Sequence, residues 1–211
     1  RSRGLGDVYK RQLQGHVNSA TVNDIKEANK VLRFYQANAD VGLHFERVCR
    51  PHEVVFGTFS DAAWAVRKSG ASQGGLLSWA SGPGVMKGQP SVLMPLDWSS
   101  RKIERVSRSS LSSETQQAAI GVDHLEYIKI FWQHLIHPHT KLSDNSFLSK
   151  TVQSPLIEDC KGLYASYYKA NANIKEKRTL IDIKLIKERC AAANLKMFWV
   201  SSERQLADGL T

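Results

Sequence analysis

The sequence predicts an α/β domain: a mixed five-stranded sheet, in which three antiparallel strands are followed by helix-linked strands, with helices flanking it. Three observations carry this expectation. Short apolar runs bounded by turn residues fill the chain up to about Trp98, as strands do, whereas one face stays apolar at a period near 3.6 over the long stretch beyond Leu111. Gly- or Pro-bearing connections separate the first three runs, which favours an antiparallel meander. After the long helix, strand-like and helix-like segments alternate, the pattern of helix-linked strands.

Taken in order, Thr21 to Gln36 places Val22, Ile25, Ala28, Val31, Leu32 and Tyr35 at helical spacing, with Ser19 or Thr21 to cap the start. This is an amphipathic helix ahead of the main domain. Val54-Val55-Phe56 and Phe59 read as a buried strand running into Asp61; Gly74 to Trp79 forms a second strand and Val92 to Trp98 a third. The long helix follows a serine-rich stretch, with Leu111, Ala118, Val122, Leu125, Ile128, Trp132 and Leu135 on one face. Ser154 to Asp159 is a short strand, Lys161 to Ala170 a short helix, Lys177 to Asn194 another helix and Leu195 to Val200 the last strand. Ser202-Glu203-Arg204-Gln205 has the form of a capping box and predicts a terminal helix carrying Asp208. The expected order is β-β-β-α-β-α-α-β-α.

With 211 residues, 42% of them hydrophobic, the chain can bury one sizeable core and an extra segment. Its net charge of +9 points to a polyanionic partner such as nucleic acid, although charge speaks to partners and not to fold. Residues 1–12 have no hydrophobic period and contribute four cations, Arg1, Arg3, Lys10 and Arg11, against the single acid Asp7. They resemble a translated sequencing adapter, an artefact or disordered leader set apart from the fold, and the remaining chain is still basic. Cys49, Cys160 and Cys190 are odd in number and share no ligand-like spacing, so a reducing intracellular setting is expected, in a cytoplasmic particle or the nucleus. No apolar run reaches the roughly 18 residues of a membrane span.

Four acids, Asp61, Glu114, Asp159 and Asp208, each stand beside apolar or small residues. A carboxylate on a buried stripe or at the end of an apolar strand is costly unless a cation neutralises it, so four of them point to a divalent metal site. Glu114 lies three after Leu111 and four before Ala118, on the buried face of the long helix. Glu158 competes with Asp159, since strand alternation sends the two to opposite faces and only one can serve. Oxygen-only ligation suits Mg²⁺ or Mn²⁺ better than zinc. Arg101, Lys102, Arg105 and Arg108 form a basic run before the long helix, and Lys161 follows Asp159 by two; these are the candidate phosphate contacts. His134, His137 and His139 sit at a helix end broken by Pro138, where surface histidines complementing the dipole are the ordinary case. The five tryptophans are expected in the core.

These residues resemble the ribonuclease H domain of copia-like LTR retrotransposon polyproteins. The resemblance is carried by Ser60-Asp61-Ala62, Gly74-Gly75, Ser100-Arg101-Lys102, Ser110-Leu111-Ser112-Ser113-Glu114-Thr115, Glu158-Asp159-Cys160-Lys161-Gly162-Leu163-Tyr164 and Gln205-Leu206-Ala207-Asp208-Gly209-Leu210-Thr211, in that order. It covers roughly residues 53 to 211 and implies a ribonuclease H-like domain over 51–211, truncated at its C-terminus. The segment 13–50, through Ala20 to Leu32, resembles the end of a reverse transcriptase thumb or connection, the partner domain in such polyproteins. The family implies an endonuclease that hydrolyses the RNA strand of RNA–DNA hybrids with two Mg²⁺ ions, Mn²⁺ substituting. Asp61 would bridge the two ions, Glu114 and Asp159 would complete the one on the leaving-group side, and Asp208 would hold the one beside the attacking water.

The chain departs from the family at two points. The usual Thr before the third acid is Glu158, whose charge is expected to disturb the strand or repel substrate. The helix start where many relatives carry a His reads Arg178-Thr179-Leu180-Ile181. Two rival readings stand beside the nuclease: a decayed, non-catalytic nucleic-acid-binding or structural remnant of the same fold, and an integrase-like enzyme, which would lack the acid at Glu114.

Overall fold

The computed structural model describes residue 13 and residues 20–67, 69–139, 141, 146–170 and 174–211. The expected leader 1–12 and the candidate cap Ser19 lie outside the described residues. The elements are α1 (Val22–Ala37), β1 (Val55–Ala63), β2 (Gln73–Ser81), β3 (Met94–Lys102), α2 (Ser110–Ile136), β4 (Ser154–Glu158), α3 (Lys161–Tyr168), α4 (Lys177–Ala192) and β5 (Leu195–Trp199), with short 3₁₀ turns between them.

The sheet order is β3-β2-β1-β4-β5. β1, β2 and β3 pair antiparallel, whereas β4 joins β1, and β5 joins β4, in parallel. This is the mixed five-stranded sheet expected from the sequence, with helix-linked strands on one side of β1. Alternation along β1 assigns its faces. Phe56 and Ala80 belong to the larger core with Ala118, Val122 and Leu125 of α2, Leu156 of β4 and Ile183 and Ile186 of α4. Val55, Phe59 and Trp79 point to the opposite face and pack with Ala207 of the C-terminal segment.

α2 forms because Ser109 caps it, its side-chain oxygen accepting from the Ser112 N–H at 3.1 Å, and because its apolar stripe meets the sheet. The Gly74-Gly75 pair explains how elements approach β2 on both faces. A Cβ on Gly74 would stand 2.0 Å from Gln117 Oε1 of α2, and one on Gly75 would stand 2.8 Å from the Ala207 carbonyl. At Gly75 the neighbour is backbone, so a side chain there would push the C-terminal segment off the strand, whereas at Gly74 the Gln117 side chain would have to give way.

Several sequence expectations change. β3 is displaced toward its C-terminal end and takes in Ser100, Arg101 and Lys102, after an irregularity of pairing at Ser78/Trp79. α1 does have the capping box, Thr21 with Asp24, but none of its residues is buried, and Val22, Ile25 and Leu32 face outward. The terminal helix does not form: residues 202–210 make two 3₁₀ turns, Ser202–Arg204 and Asp208–Leu210. Gln205 between them is extended, because its side chain is committed elsewhere. Its amide donates to the Ser60 carbonyl at 2.8 Å, and its oxygen accepts from the Ala207 N–H at 3.3 Å. With Leu210 buried against β2, the segment is fastened to the sheet rather than wound into a helix. Of the tryptophans, Trp79 is in the core, but Trp64 and Trp199 are 47% and 37% exposed. No helix among the described residues is long and apolar enough to cross a membrane.

Candidate metal centre

Asp61 and Glu114 come from regular elements that meet at one end of the sheet. Asp61 lies near the end of the central strand β1, opposite Gly75, and Glu114 in the second turn of α2. The parallel register of β1 with β4, Thr58 beside Leu156 and Phe59 beside Ile157, carries Asp159 alongside Asp61 just past the strand. One carboxylate oxygen from each of Asp61, Glu114 and Asp159 lies within 4.8 Å of the others. Among the described residues no other group of three His, Cys, Asp or Glu side chains is so placed. His134, His137 and His139 form no such group.

Asp61 and Glu114 are more than nine-tenths buried. Burial pushes the Asp61 carboxyl up, and the charges of Asp159 and Asp208 push it further, against a 2.7 Å hydrogen bond donated by the Thr211 hydroxyl. Burial, then the charges of Asp61 and Asp159, push Glu114 up to about 9, partly offset by a hydrogen bond from the Ala62 backbone. Its Oε2 is buried without a hydrogen-bond partner. No cationic side chain makes a hydrogen bond or ion pair to Asp61, Glu114 or Asp159 among the described residues. The arrangement fits a hard divalent cation: oxygen donors only, crowded together and mutually repelling, with one oxygen left unpaired.

Asp208 is exposed, in the last 3₁₀ turn, outside this group of oxygens but close enough for its charge to raise Asp61. Glu158 corrects an expectation. It is completely buried on the α2 side of the sheet, its Oε1 accepting a hydrogen bond from the Ser60 hydroxyl. Burial holds its carboxyl well above the usual carboxylate range, and its side chain is enclosed beneath α2 rather than offered to a ligand. Alternation along β4 was the available signal: it separates Glu158 from Asp159 and thereby turns Glu158 inward.

Arg101 and Lys102 are exposed at the end of β3, opposite Gly74 and Gln73 and so at the same end of the sheet as Asp61. They line a groove of about 710 Å³ with Arg67 and Arg105, but Glu104 and Asp182 line it too. Arg105 is paired with Asp182 by two hydrogen bonds of 2.9 and 3.2 Å, so it is not a freely offered cation. Arg108 is exposed, and Lys161 begins α3 with its ammonium 5.0 Å above the Trp199 ring.

The sheet order β3-β2-β1-β4-β5, with the long helix packed on its central strand, gives the chain a ribonuclease H-like α/β fold. No protein-family model matches the chain, and no curated protein sequence does. Among solved structures it is similar to the N-terminal RNase H domain of Rv2228c from Mycobacterium tuberculosis, at 14% identity and a TM-score of 0.48 over 75% of this chain and 91% of that one. It is also similar to RNase H1 from the halophilic archaeon Halobacterium salinarum NRC-1, at 10% identity and 0.47 over 74% and 92%. The foamy viral protease-reverse transcriptase in complex with dsDNA gives 10% identity and 0.44 over 79% and 96%.

Proposed function

We propose that this chain is the ribonuclease H domain of a copia-like LTR retrotransposon polyprotein, an endonuclease that hydrolyses the RNA strand of RNA–DNA hybrids. The observation that carries the reading is the convergence of Asp61, Glu114 and Asp159, far apart in sequence, on one group of oxygens within 4.8 Å, Asp61 and Glu114 buried and Asp159 half-buried, with no cationic side chain paired to them among the described residues. On this reading those three, with Asp208 at the edge, hold Mg²⁺ or Mn²⁺. Divalent ions there would lower the pKa of water and stabilise charge on a departing 3′ oxygen.

The protein's own contribution is to place the acids and the substrate. Asp61 is fixed by the central strand and by Thr211 at 2.7 Å, and Glu114 by the capped start of α2. Arg101, Lys102, Arg108 and Lys161 meet phosphates, with Arg105 held back by Asp182. Recognition through backbone and 2′-hydroxyl groups gives little base preference. In this picture residues 51–211 are the nuclease domain, and 13–50, with the outward-facing apolar stripe of α1, belongs to a reverse transcriptase partner, within an intracellular particle or the nucleus.

The test is cleavage of a hybrid labelled on its RNA strand, with Mg²⁺, Mn²⁺ or EDTA, beside the matching duplex DNA. Cleavage of the RNA strand with either ion and none with EDTA supports the reading. One observation favours the alternative of a non-catalytic nucleic-acid-binding remnant: Asp208 stands outside the group of oxygens that the other three form. Hybrid binding without cleavage under Mn²⁺ would select it.

A further inference from the structure

Asp159 is the acid that regular structure does not hold. Asp61 lies within β1 and Glu114 within α2, but Asp159 is one residue past the end of β4, before α3 begins. Three hydrogen bonds from the end of β5 fasten this exit. Val200 donates its N–H to the Glu158 carbonyl at 2.9 Å. Trp199 donates its indole N–H to the Asp159 carbonyl at 2.8 Å, and the Ser202 hydroxyl donates to Asp159 Oδ2 at 2.6 Å. One bond thus fixes the main chain of Asp159 and another the rotation of its carboxylate.

Trp199 is not where packing alone would keep it: it ends the sheet's edge strand, 37% exposed, with the Lys161 ammonium over its ring. The polar N–H, aimed at Asp159, accounts for a large ring at a wet position. We infer that Trp199 and Ser202 are positioning residues that hold the Asp159 carboxylate within the acid group and thereby set its affinity for divalent cations. The inference rests on reading that group as a cation site, to which the unpaired buried Glu114 Oε2 independently points. Hydrogen bonds that orient a metal-binding carboxylate commonly govern affinity about ten- to a hundredfold.

The experiment measures Mn²⁺ binding to the full chain by calorimetry without nucleic acid, beside thermal unfolding. Trp199→Phe keeps the ring beneath Lys161 but loses the N–H; Ser202→Ala loses the hydroxyl at an exposed position; Ser202→Thr restores it. We expect Trp199→Phe and Ser202→Ala each to weaken Mn²⁺ about tenfold, with Ser202→Thr near wild type. Any hybrid cleavage should shift to higher Mn²⁺ by the same factor. Wild-type Mn²⁺ affinity in both variants, whatever their unfolding temperatures, overturns the inference while leaving the nuclease reading intact. Tight Mn²⁺ binding weakened by the variants, in a protein that cleaves no hybrid, upholds the inference and sinks the nuclease. A wild type that binds no Mn²⁺ removes both.

Discussion

The two ends of α2 bury opposite charges and treat them differently. Near its start, Glu114 is 9% exposed beside Asp61 and Asp159, with one oxygen unpaired and no cationic side chain bound to it among the described residues. Four turns on, Lys129 is 3% exposed, yet its ammonium donates to the carbonyls of Val152 at 3.1 Å and Ala193 at 2.5 Å. Lys129 thus stitches α2 to the entry of β4 and the exit of α4. A charge buried for architecture is given partners by the protein; the acids at the other end repel one another, a repulsion that a proton on Glu114 or a cation from solution relieves. The same helix carries a finished site and an unfinished one.

The most severe way to break this comparison is at the acids. Asp61→Asn keeps the shape of the side chain and removes its charge, so hybrid cleavage should fall about a thousandfold or more, while hybrid binding stays close to wild type. Stability should hold or rise slightly, because the change relieves repulsion on Glu114. Equal cleavage by the variant and wild type in a labelled-hybrid assay would remove Asp61 from the machinery. At the other end Lys129→Ala should do the reverse. It leaves the buried Ala193 carbonyl without its ammonium partner, the part-buried Val152 carbonyl with only a 3.5 Å bond from the Ser154 hydroxyl, and a void, and should cost about 3 kcal/mol in urea unfolding with little direct effect on the acids. A loss below about 0.5 kcal/mol would show that the carbonyls find other partners.

That contrast was half legible in the sequence. The stripe that buries Glu114, continued at helical spacing through Ala118, Val122 and Leu125, arrives at Lys129 and then Trp132 and Ile136. Ile128 is the more natural reading of the stripe only because a lysine is presumed solvated. Asp61, Glu114 and Asp159 were legible because each sits in a short apolar context whose period places it. The carbonyls that satisfy Lys129, the Ser60 hydroxyl on Glu158 and the clamp on Asp159 were not, since each joins segments far apart in the chain and no local period encodes them. The absent terminal helix has the same origin. Gln205 obeys the local capping pattern in sequence but is recruited by a carbonyl of β1.

A milder effect should appear with pH. Burial lowers Lys129 from its ordinary 10.5 to about 8, opposed by the charge of Glu126 on the same helix; Lys150, His52 and His137 line the adjoining cavity with it. Between those two values the unfolded chain binds a proton that the folded chain does not, so this group makes stability rise with pH across the window and leaves it flat below. Other groups titrate there, notably the Cys160 and Cys190 thiols, which burial pushes up to about 11. The measurement is therefore the difference between wild type and Lys129→Met in urea unfolding. That difference should grow in favour of wild type as pH rises above about 8. A difference that shrinks with pH would mean the ammonium is stabilised where it lies.

The smallest effect separates buried from exposed cations through salt. Arg101 and Lys102 stand in water at the acid end of the sheet, where any pull on phosphates would be screened, whereas Lys129 is enclosed and its hydrogen bonds are nearly indifferent to ionic strength. Each phosphate contact on duplex nucleic acid contributes about 0.9 to the slope of log affinity against log salt. Replacing Arg101 and Lys102 together by Ala should therefore flatten the slope for hybrid binding by up to about 2. Adding Arg105→Ala should change it little further, because Asp182 already occupies that guanidinium at 2.9 Å. The comparison is strict, since all three residues line one groove. A slope unchanged in the double variant would make Arg101 and Lys102 a solvated face. A large further change on removing Arg105 would mean that hybrid displaces Asp182, and that the ion pair is a resting state of the groove rather than a withdrawn contact.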